Sequence, residues 1–276
     1  MQAARLGSNV TMAGKVGKDD FGAKVLSSVS QAGVDISKVS YSDTFPTAIG
    51  NVLLEVNDQK ISNRIIVVPG ANMDIAYEDV AFLKETITQY DMVILQLEIP
   101  KEIDILIAKI AYDAGVPVML NPAPAIPLED EFLSYLTYIS PNEHEASILT
   151  GVSITNEETA KRAIDVLIGK GVKNVLITLG SRGAAFGNSN EYFIKPCVDY
   201  GKVIDPTAAG GSFVGAFCTS VCLGGISYED AVNFANFTAA ITVSRMGAQP
   251  SLPTISQVLS FMSQRGFDTS AWEVLF

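Results

Sequence analysis

The feature that most restricts the fold of this chain is an alternation of short apolar runs with longer amphipathic segments from about residue 91 onward. The apolar run "MVILQLE" (92–98) precedes the helical pattern "EIDILIAKIAYDAG", which is followed by the run "VPVMLN". The runs "LTYISPN" (136–142) and "NVLITLG" (174–180) flank the helical pattern "NEETAKRAIDVLIGKG". β-Branched residues and leucines with little alternation indicate strands covered on both faces. The pattern therefore predicts an α/β fold with a mostly parallel central sheet.

Three other segments add to this pattern. Residues 47–68 predict a β-hairpin, because the runs "AIGNVLLEV" and "ISNRIIVV" flank the short polar turn "NDQK". Periodicity alone leaves open whether this hairpin is a lid, a dimerisation arm or an ordinary peripheral hairpin. The C-terminal third, from Ser212 to about Arg265, predicts successive helices. The chain opens with helix formers that stop at Gly7 before the strand "NVTMAGKVG", so we expect an upstream part of the domain to be missing.

Composition limits the classes of function. The 276 residues, 48% of them hydrophobic, suit one α/β domain with a large core. The net charge of −11, without any Lys/Arg run, predicts a small-molecule ligand and neither a nucleic acid nor a membrane as partner. Three cysteines without metal-ligand spacing and a single histidine disfavour a zinc cluster or a Ser/His/Asp triad. Reduced thiols and the lack of a signal peptide or long apolar run predict a cytoplasmic protein.

Neither a P-loop nor the glycine-rich fingerprint of a Rossmann domain is present. The candidate ligand contacts are instead the polar turns that follow the predicted strands, where open α/β sheets bind ligands. For Glu98 the sequence leaves two interpretations, binding of a polyol hydroxyl and capping of the next helix. Asn142 and Glu145 are predicted to hold a hydrated magnesium ion and phosphate. The alternative is that Asn142 is only a helix N-cap. The turn "TLGSRG" (178–183) approaches a nucleotide through its backbone, or is a plain turn.

The most specific of these turns lies in "VIDPTAAGGSFVGAF" (203–217). The small residues Ala208, Ala209 and Gly210 let the backbone approach an anion, and a helix beginning near Ser212 directs its N–H groups to the same point. The turn therefore predicts an anion hole. Phosphoryl transfer to an alcohol also needs a group that orients or deprotonates the hydroxyl, commonly an Asp, and Gly211 stands where that carboxylate is expected.

These motifs together resemble the ribokinase/PfkB family of sugar kinases. The likeness is carried by "AARLGSNVTMAGKVGKDDFG", "LNPAPA", "PNEHEA", "VLITLGSRG", "VIDPTAAGGSFVGAF" and "AAITVSRMGAQPS", in family order over nearly the whole chain. The resemblance implies a ribokinase-like three-layer sandwich, a single domain of residues 1–276 with a partial β-lid that includes a hairpin at about 45–68, and dimerisation through that lid. It also implies ATP-dependent phosphorylation of D-ribose to D-ribose 5-phosphate, with Mg²⁺ and an activating K⁺. Another pentose, fructose or a nucleoside stays open as the substrate.

The resemblance also assigns roles to single residues. Glu98 would contact the sugar, and Glu145 would belong to the element associated with magnesium and phosphate. The anion hole would comprise Ala208, Ala209 and Gly210, and Gly211 would hold the place of the catalytic base. The residues expected to contact ATP are Asn142, Thr178, Leu179, Gly180, Ser181, Arg182, Gly183, Gly210 and Asn236. Those expected around K⁺ are Asp205, Thr207, Thr242, Arg245, Gly247 and Ser251.

Two departures from the family pattern bear on activity. The family has an Asp base where this chain has Gly211, and family members begin upstream, with a strand and a glycine-rich segment that bind the sugar. A positioned general base contributes roughly 10² to 10⁴ in rate, so Gly211 alone would leave a weak enzyme. Because most of the sugar-binding groups are missing as well, we expect little or no kinase activity from this chain. The alternatives are a non-catalytic descendant that keeps nucleotide binding or acts as an interaction protein, and a sequence variant or mis-assigned start.

Overall fold

The computed structural model describes residues 1–57 and 60–275. The strands are β1 (Val10–Gly17), β2 (Val34–Ser42), β3 (Ile49–Asn57), β4 (Lys60–Val68), β5 (Val93–Leu95), β6 (Val118–Leu120), β7 (Tyr138–Ile139), β8 (Asn174–Thr178), β9 (Ala184–Asn188) and β10 (Tyr192–Lys195). The α-helices are α1 (Gln2–Arg5), α2 (Asp20–Gln31), α3 (Tyr77–Val80), α4 (Leu83–Thr86), α5 (Lys101–Asp113), α6 (Asp130–Ser134), α7 (Glu143–Thr150), α8 (Glu157–Gly169), α9 (Ala209–Leu223), α10 (Tyr228–Val243) and α11 (Ile255–Gln264). Short 3₁₀ helices cover Gly70–Asp74, Ile87–Gln89, Gly180–Arg182, Gln249–Ser251 and Ser270–Leu275.

The chain divides into two compact units. The first unit contains Met1–Asp74 and Cys197–Phe276, and the second contains Ile75–Pro196. A single domain over residues 1–276 stays a prediction. In the part of the chain that the structure describes, no helix has both the length and the hydropathy that crossing a membrane requires.

The second unit is built on one sheet with the strand order β10-β9-β8-β7-β6-β5. Strands β5 to β8 pair in parallel with one another, whereas β9 pairs antiparallel with both β8 and β10. The three residues of β6 are buried, as are the first four of β8, which explains their uninterrupted apolar runs. The amphipathic helices α5 and α8 pack their apolar sides into the same core. The predicted mostly parallel sheet is confirmed.

Parallel pairing fixes where the polar turns of the second unit lie. Because β5, β6, β7 and β8 run in the same direction, the turns after them leave the sheet at one edge. An isolated parallel bridge between Asn142 and Thr178 extends this pairing beyond β7 and β8. The Asn121 side chain donates to the Ser140 carbonyl oxygen at 2.8 Å, which joins the turns after β6 and β7. This edge is the ligand-binding edge of an open α/β sheet.

The first unit contains the parallel pair β1–β2, the antiparallel hairpin β3–β4 and the helices α1, α2, α9, α10 and α11. Phe213 and Phe217 of α9 and Phe234 and Phe237 of α10 are buried in its core, with Trp272. The predicted strand before Gly17, the C-terminal helices and the opening helix are confirmed, and Gly7 ends that opening helix with a positive φ of 101°.

The hairpin and the start of α9 differ in part from what the sequence predicts. The hairpin of residues 47–68 is confirmed as β3 and β4, but residues 58 and 59 of its predicted turn lie outside the described residues. Helix α9 begins at Ala209 and not near Ser212. The reason is that Ala208 takes a left-handed conformation and its carbonyl accepts the Ser212 amide at 2.8 Å, which closes the first turn earlier than expected.

Candidate active site

The turn that leads into α9 is fixed to the end of α10. The amides of Ile204 and Asp205 both donate to the Val243 carbonyl oxygen, at 2.8 and 3.1 Å. The Asp205 carboxylate, only 3% exposed, accepts the Thr207 amide through Oδ1 and the Gly247 amide through Oδ2, each at 2.8 Å. Asp205 thus holds the turn at 205–211 against the loop that follows α10.

The N-terminus of α9 presents free amide groups. The Ala209 amide makes a long bond of 3.3 Å to the Pro206 carbonyl oxygen, and Ser212 is bonded to Ala208. The exposed amides of Gly210 and Gly211 have no acceptor among the described residues. A helix of 15 residues adds the positive end of its dipole at this point. The arrangement is suited to binding an anion such as a phosphate.

Gly211 lies in this first turn of α9, which contains no acidic residue. A Cβ atom built on Gly211 would have no other heavy atom within 4 Å, outside its chain neighbours and the local helix backbone. The position therefore has room for a carboxylate side chain. As it stands, the turn offers hydrogen-bond donors to an anion and no group that could accept a proton from an alcohol.

The residues predicted around a potassium ion lie close to the hydrogen bonds that Asp205 accepts from Thr207 and Gly247. Asp205, Thr207, Thr242 and Ser251 are buried, and Gly247 is bonded to Asp205. The hydroxyls of Thr242 and Ser251 donate to the Thr238 and Ala248 carbonyl oxygens at 3.0 and 2.7 Å. The Arg245 guanidinium extends to Gln257 Oε1 at 3.2 Å.

Whether these residues suit a bound cation depends on the charge of Asp205. Burial raises the pKa of this carboxyl, but hydrogen bonds from the side chain and amide of Thr207 and from Gly247 outweigh it, so the pKa lies below its usual range. No Lys or Arg among the described residues forms an ion pair with it. A buried, ionised carboxylate without a cationic side chain fits a bound monovalent cation.

In the second unit, Asn142 and Glu145 form a reciprocal N-terminal cap of α7. The Glu145 amide donates to Asn142 Oδ1 at 2.9 Å, and the Asn142 amide donates to Glu145 Oε2 at 2.8 Å. Asn142 is therefore the N-cap of α7, and its role in holding Mg²⁺ and phosphate stays a prediction. Burial raises the pKa of the Glu145 carboxyl. Since one of its oxygens is not engaged by the cap, this carboxylate keeps capacity for a hydrated Mg²⁺, which binds through one or two carboxylates and substrate phosphates.

The turn after β8 is compact. Leu179 donates to the Gly183 carbonyl oxygen at 2.8 Å, and Thr178 donates to Pro141 at 3.0 Å, so this turn lies beside Asn142. Gly180, Ser181 and Arg182 are exposed. The Arg182 guanidinium pairs with Glu143 and donates to the Thr155 carbonyl oxygen at 3.1 Å. The side chain of Arg182 is thus already engaged with other protein groups.

Glu98 and Asn236 lie in different units. Glu98 is exposed after β5, and Pro100 occupies the N-cap of α5 without a side-chain cap bond, so the helix-cap interpretation of Glu98 is wrong. Its carboxylate is open to solvent at the ligand-binding edge. Asn236 is buried within α10. The roles of Glu98 with a sugar and of Asn236 with adenine stay predictions.

Two sets of contacts in the first unit were not predicted from the sequence. The Thr47 amide and hydroxyl donate to Asp19 at 2.8 and 2.7 Å, which ties the start of the hairpin to the N-terminus of α2. The Asn63 side chain donates to Thr207 Oγ1 at 3.2 Å. Asn63 and Thr207 are 144 residues apart in the chain, and their spacing carries no signal of the contact. A polar side chain inside the apolar run "ISNRIIVV" was the one available hint.

Comparisons with known proteins show the family and the fold of the chain. The profile of the pfkB family carbohydrate kinases matches residues 1–255. The ribokinase of Haemophilus influenzae is 37% identical, with 94% of this chain and 83% of that protein aligned, and the ribokinase of Schizosaccharomyces pombe is 37% identical over 91% and 79%. The solved structure of Arabidopsis thaliana ribokinase complexed with ribose and ATP superimposes with a TM-score of 0.83 at 31% identity, covering 95% of this chain and 84% of that one. This chain has the ribokinase-like α/β fold and belongs to the pfkB family of carbohydrate kinases.

Proposed function

We propose that this chain binds ATP and D-ribose, and that its family reaction is transfer of the γ-phosphoryl group of ATP to the 5-hydroxyl of D-ribose. The observation that carries the proposal is the pair of free, exposed amides of Gly210 and Gly211 at the N-terminus of α9. These N–H groups would stabilise the charge of the phosphoryl group during transfer. The relatives that are named ribokinases supply the expected sugar.

We assign the other predicted residues to the same reaction. Glu98 would accept hydrogen bonds from sugar hydroxyls, and the backbone of residues 178–183, together with Asn142 and Asn236, would contact the nucleotide. Glu145 would hold Mg²⁺ through a water molecule, and Mg²⁺ supplies neutralisation of phosphate charge. Asp205 and the carbonyl groups of the loop at 242–251 would hold K⁺ beside the anion hole.

The same proposal includes low activity for the chain with Gly211. The amides at 210 and 211 would still bind the phosphate, while no carboxylate is available in the first turn of α9 to accept the proton of the attacking hydroxyl. This observation also favours the second candidate function, a non-catalytic protein that keeps nucleotide binding. The two candidates differ in whether a base alone restores turnover.

The deciding experiment is Gly211→Asp, with Gly211→Asn as the matched control of nearly the same size. We expect formation of ADP that depends on D-ribose to rise by roughly 10²- to 10⁴-fold in G211D and to stay at the level of the parent chain in G211N. Equal rates in all three proteins, with ATP bound in calorimetry, would contradict the role of position 211. No heat and no stabilisation at millimolar ATP would contradict nucleotide binding itself.

We also propose that β3 and β4 act as a lid and that two copies associate through them. The apolar side chains of Leu53, Ile66 and Val68 share one face of the hairpin, and each is at least half exposed. Ile66→Lys should shift the mass measured by sedimentation equilibrium to that of one chain, and Lys38→Glu, on β2, should not. A single-chain mass for the parent protein at micromolar concentration would contradict the dimer. A cytoplasmic location stays a prediction from cysteine usage.

A further inference from the structure

We propose that Asn63 is a positioning residue that fixes the lid hairpin (β3–β4) onto the phosphate-binding turn (residues 205–211), so that hairpin docking and anion binding are coupled. The inference rests on the proposed function, because it takes the turn as the phosphate site and the hairpin as the lid. The contact that carries it is the 3.2 Å hydrogen bond from Asn63 Nδ2 to Thr207 Oγ1.

The pairing register shows which side of the hairpin faces the turn. Asn63 is opposite Leu54, and Ile61 lies two residues from Asn63 on the same face. All three side chains are partly buried. The opposite face carries Leu53 and Ile66, which are exposed. Val56 and Ile65 on the Asn63 face are exposed as well, so the contact with the rest of the first unit is local to Asn63 and its neighbours.

The root of the hairpin, residues 47–50, is held by hydrogen bonds that do not involve Asn63. Thr47 is bonded to Asp19 through both its amide and its hydroxyl, and Asp19 in turn caps α2 by accepting the Gly22 amide at 2.8 Å. On the exit side, the Ala71 amide donates to the Pro46 carbonyl oxygen at 2.8 Å. Loss of the Asn63 contact would therefore free the far part of the hairpin and leave its root in place.

On the other side of the contact, Thr207 is part of the turn's own bonding. Its amide donates to Asp205, and its hydroxyl oxygen accepts from Asn63. The next residue, Ala208, has a positive φ of 65° and is the N-cap of α9. A displacement of Thr207 would be transmitted through Ala208 to the free amides of Gly210 and Gly211.

Thermodynamic linkage makes the coupling between hairpin docking and anion binding reciprocal. If an anion at the Gly210 and Gly211 amides favours the turn conformation that accepts Asn63, a docked hairpin favours anion binding by the same factor. Asn63 would act through Thr207, without contacting the anion. The size of the coupling is limited by one neutral hydrogen bond, which corresponds to roughly a 2- to 10-fold effect.

The test compares Asn63→Leu with Asn9→Leu, the same substitution at an exposed position of the first unit outside the hairpin. Amide hydrogen exchange is followed without ligand and with saturating ATP. In N63L we expect exchange of residues 52–56 and 61–65 to be roughly 2- to 10-fold faster, with the root at 47–50 unchanged. ATP affinity, measured by calorimetry, should fall by a similar factor. N9L should match the parent chain in both measurements.

Thr207→Val removes the acceptor and gives the second test. T207V should accelerate exchange in the same residues, by at least as much as N63L, because it also removes the hydrogen bond from the Thr207 side chain to Asp205. N63L/T207V should exchange no faster than T207V, because the acceptor of Asn63 is already gone. If ligand-free exchange in N63L equals that in N9L, the positioning role is overturned. If exchange rises but ATP affinity is unchanged, the coupling is overturned. If the parent chain binds no ATP, the proposed function fails, while the ligand-free comparison still decides whether Asn63 fixes the hairpin.

Discussion

The carboxylate of Asp205 accepts a 2.8 Å hydrogen bond from the amide of Gly247 and joins two loops that are 42 residues apart in the chain. Its second oxygen accepts the Thr207 amide. Because these hydrogen bonds outweigh the effect of burial and lower its pKa, the group is ionised at neutral pH. The turn before α9 therefore begins at a buried negative charge.

Replacing Asp205 with Asn should destabilise the first unit. The amide nitrogen of Asn cannot accept a hydrogen bond, so the amide of either Thr207 or Gly247 loses its partner, and an unpaired buried N–H costs about 1–3 kcal/mol. Urea denaturation at pH 7 measures the loss in unfolding free energy. The control is Asp199→Asn, where an exposed carboxylate accepts only the Gly201 amide. An equal loss of unfolding free energy in D205N and D199N would contradict a special role for the buried hydrogen bonds of Asp205.

The same pair of variants tests the proposed cation. The parent chain and D199N should be more stable in potassium chloride than in tetramethylammonium chloride of equal ionic strength, since a ligand that binds only the folded state stabilises it. In D205N this difference should disappear. A parent chain that is equally stable in the two salts would contradict a potassium site at Asp205.

Two glycines of α9 should respond in opposite ways to the same change. A Cβ on Gly211 meets nothing within 4 Å, so Gly211→Ala should stabilise the protein by roughly 0.5–1 kcal/mol through reduced freedom of the unfolded chain. A Cβ on Gly215 would lie 2.9 Å from Gln2 Cβ and 3.1 Å from the Ala3 nitrogen, so Gly215→Ala should cost about 1–3 kcal/mol by overpacking α1. Thermal unfolding of the two variants measures both signs, and destabilisation in G211A would contradict the open space at position 211.

The α/β fold could be predicted because its signals are local. Uninterrupted apolar runs became the buried strands β6 and β8, and the amphipathic patterns became α5 and α8. The grouping of the candidate residues in the turns after β6, β7 and β8 could also be predicted, since parallel strands bring those turns to one edge. Contacts between distant segments were not predicted. The bonds from Thr47 to Asp19 and from Asn63 to Thr207 depend on how the hairpin folds back, which no spacing in the sequence encodes.

Asp104 was also not singled out, because it occurs in an ordinary amphipathic pattern. Its side chain is fully buried in α5, and neither carboxylate oxygen has a hydrogen-bond partner in the described residues. Burial raises its pKa to about 8. The folded protein therefore binds a proton that the unfolded chain releases at much lower pH, so stability should fall as pH rises from about 4 to about 8.

Asp104→Asn and Asp104→Leu test this prediction. Both should remove a decrease in unfolding free energy that is on the order of a few kcal/mol between pH 5 and pH 8. Asp113→Asn, at an exposed position of the same helix, is the control and should keep the decrease. Urea denaturation at several pH values measures each slope. A slope in D104L equal to that of D113N would show that another group causes the pH dependence.

Trp272, the chain's only tryptophan, should report unfolding of the first unit alone. Its ring stacks on Phe234 with centroids 5.0 Å apart, and its Nε1–H donates to Ser220 Oγ at 2.8 Å. Ser220→Ala leaves this buried N–H without an acceptor and should lower the unfolding free energy by about 1–3 kcal/mol, with a midpoint shift in tryptophan emission. Ser256→Ala, at an exposed position of α11, should shift the midpoint little. Equal midpoints for S220A and S256A would mean that the indole hydrogen bond contributes nothing measurable to the first unit.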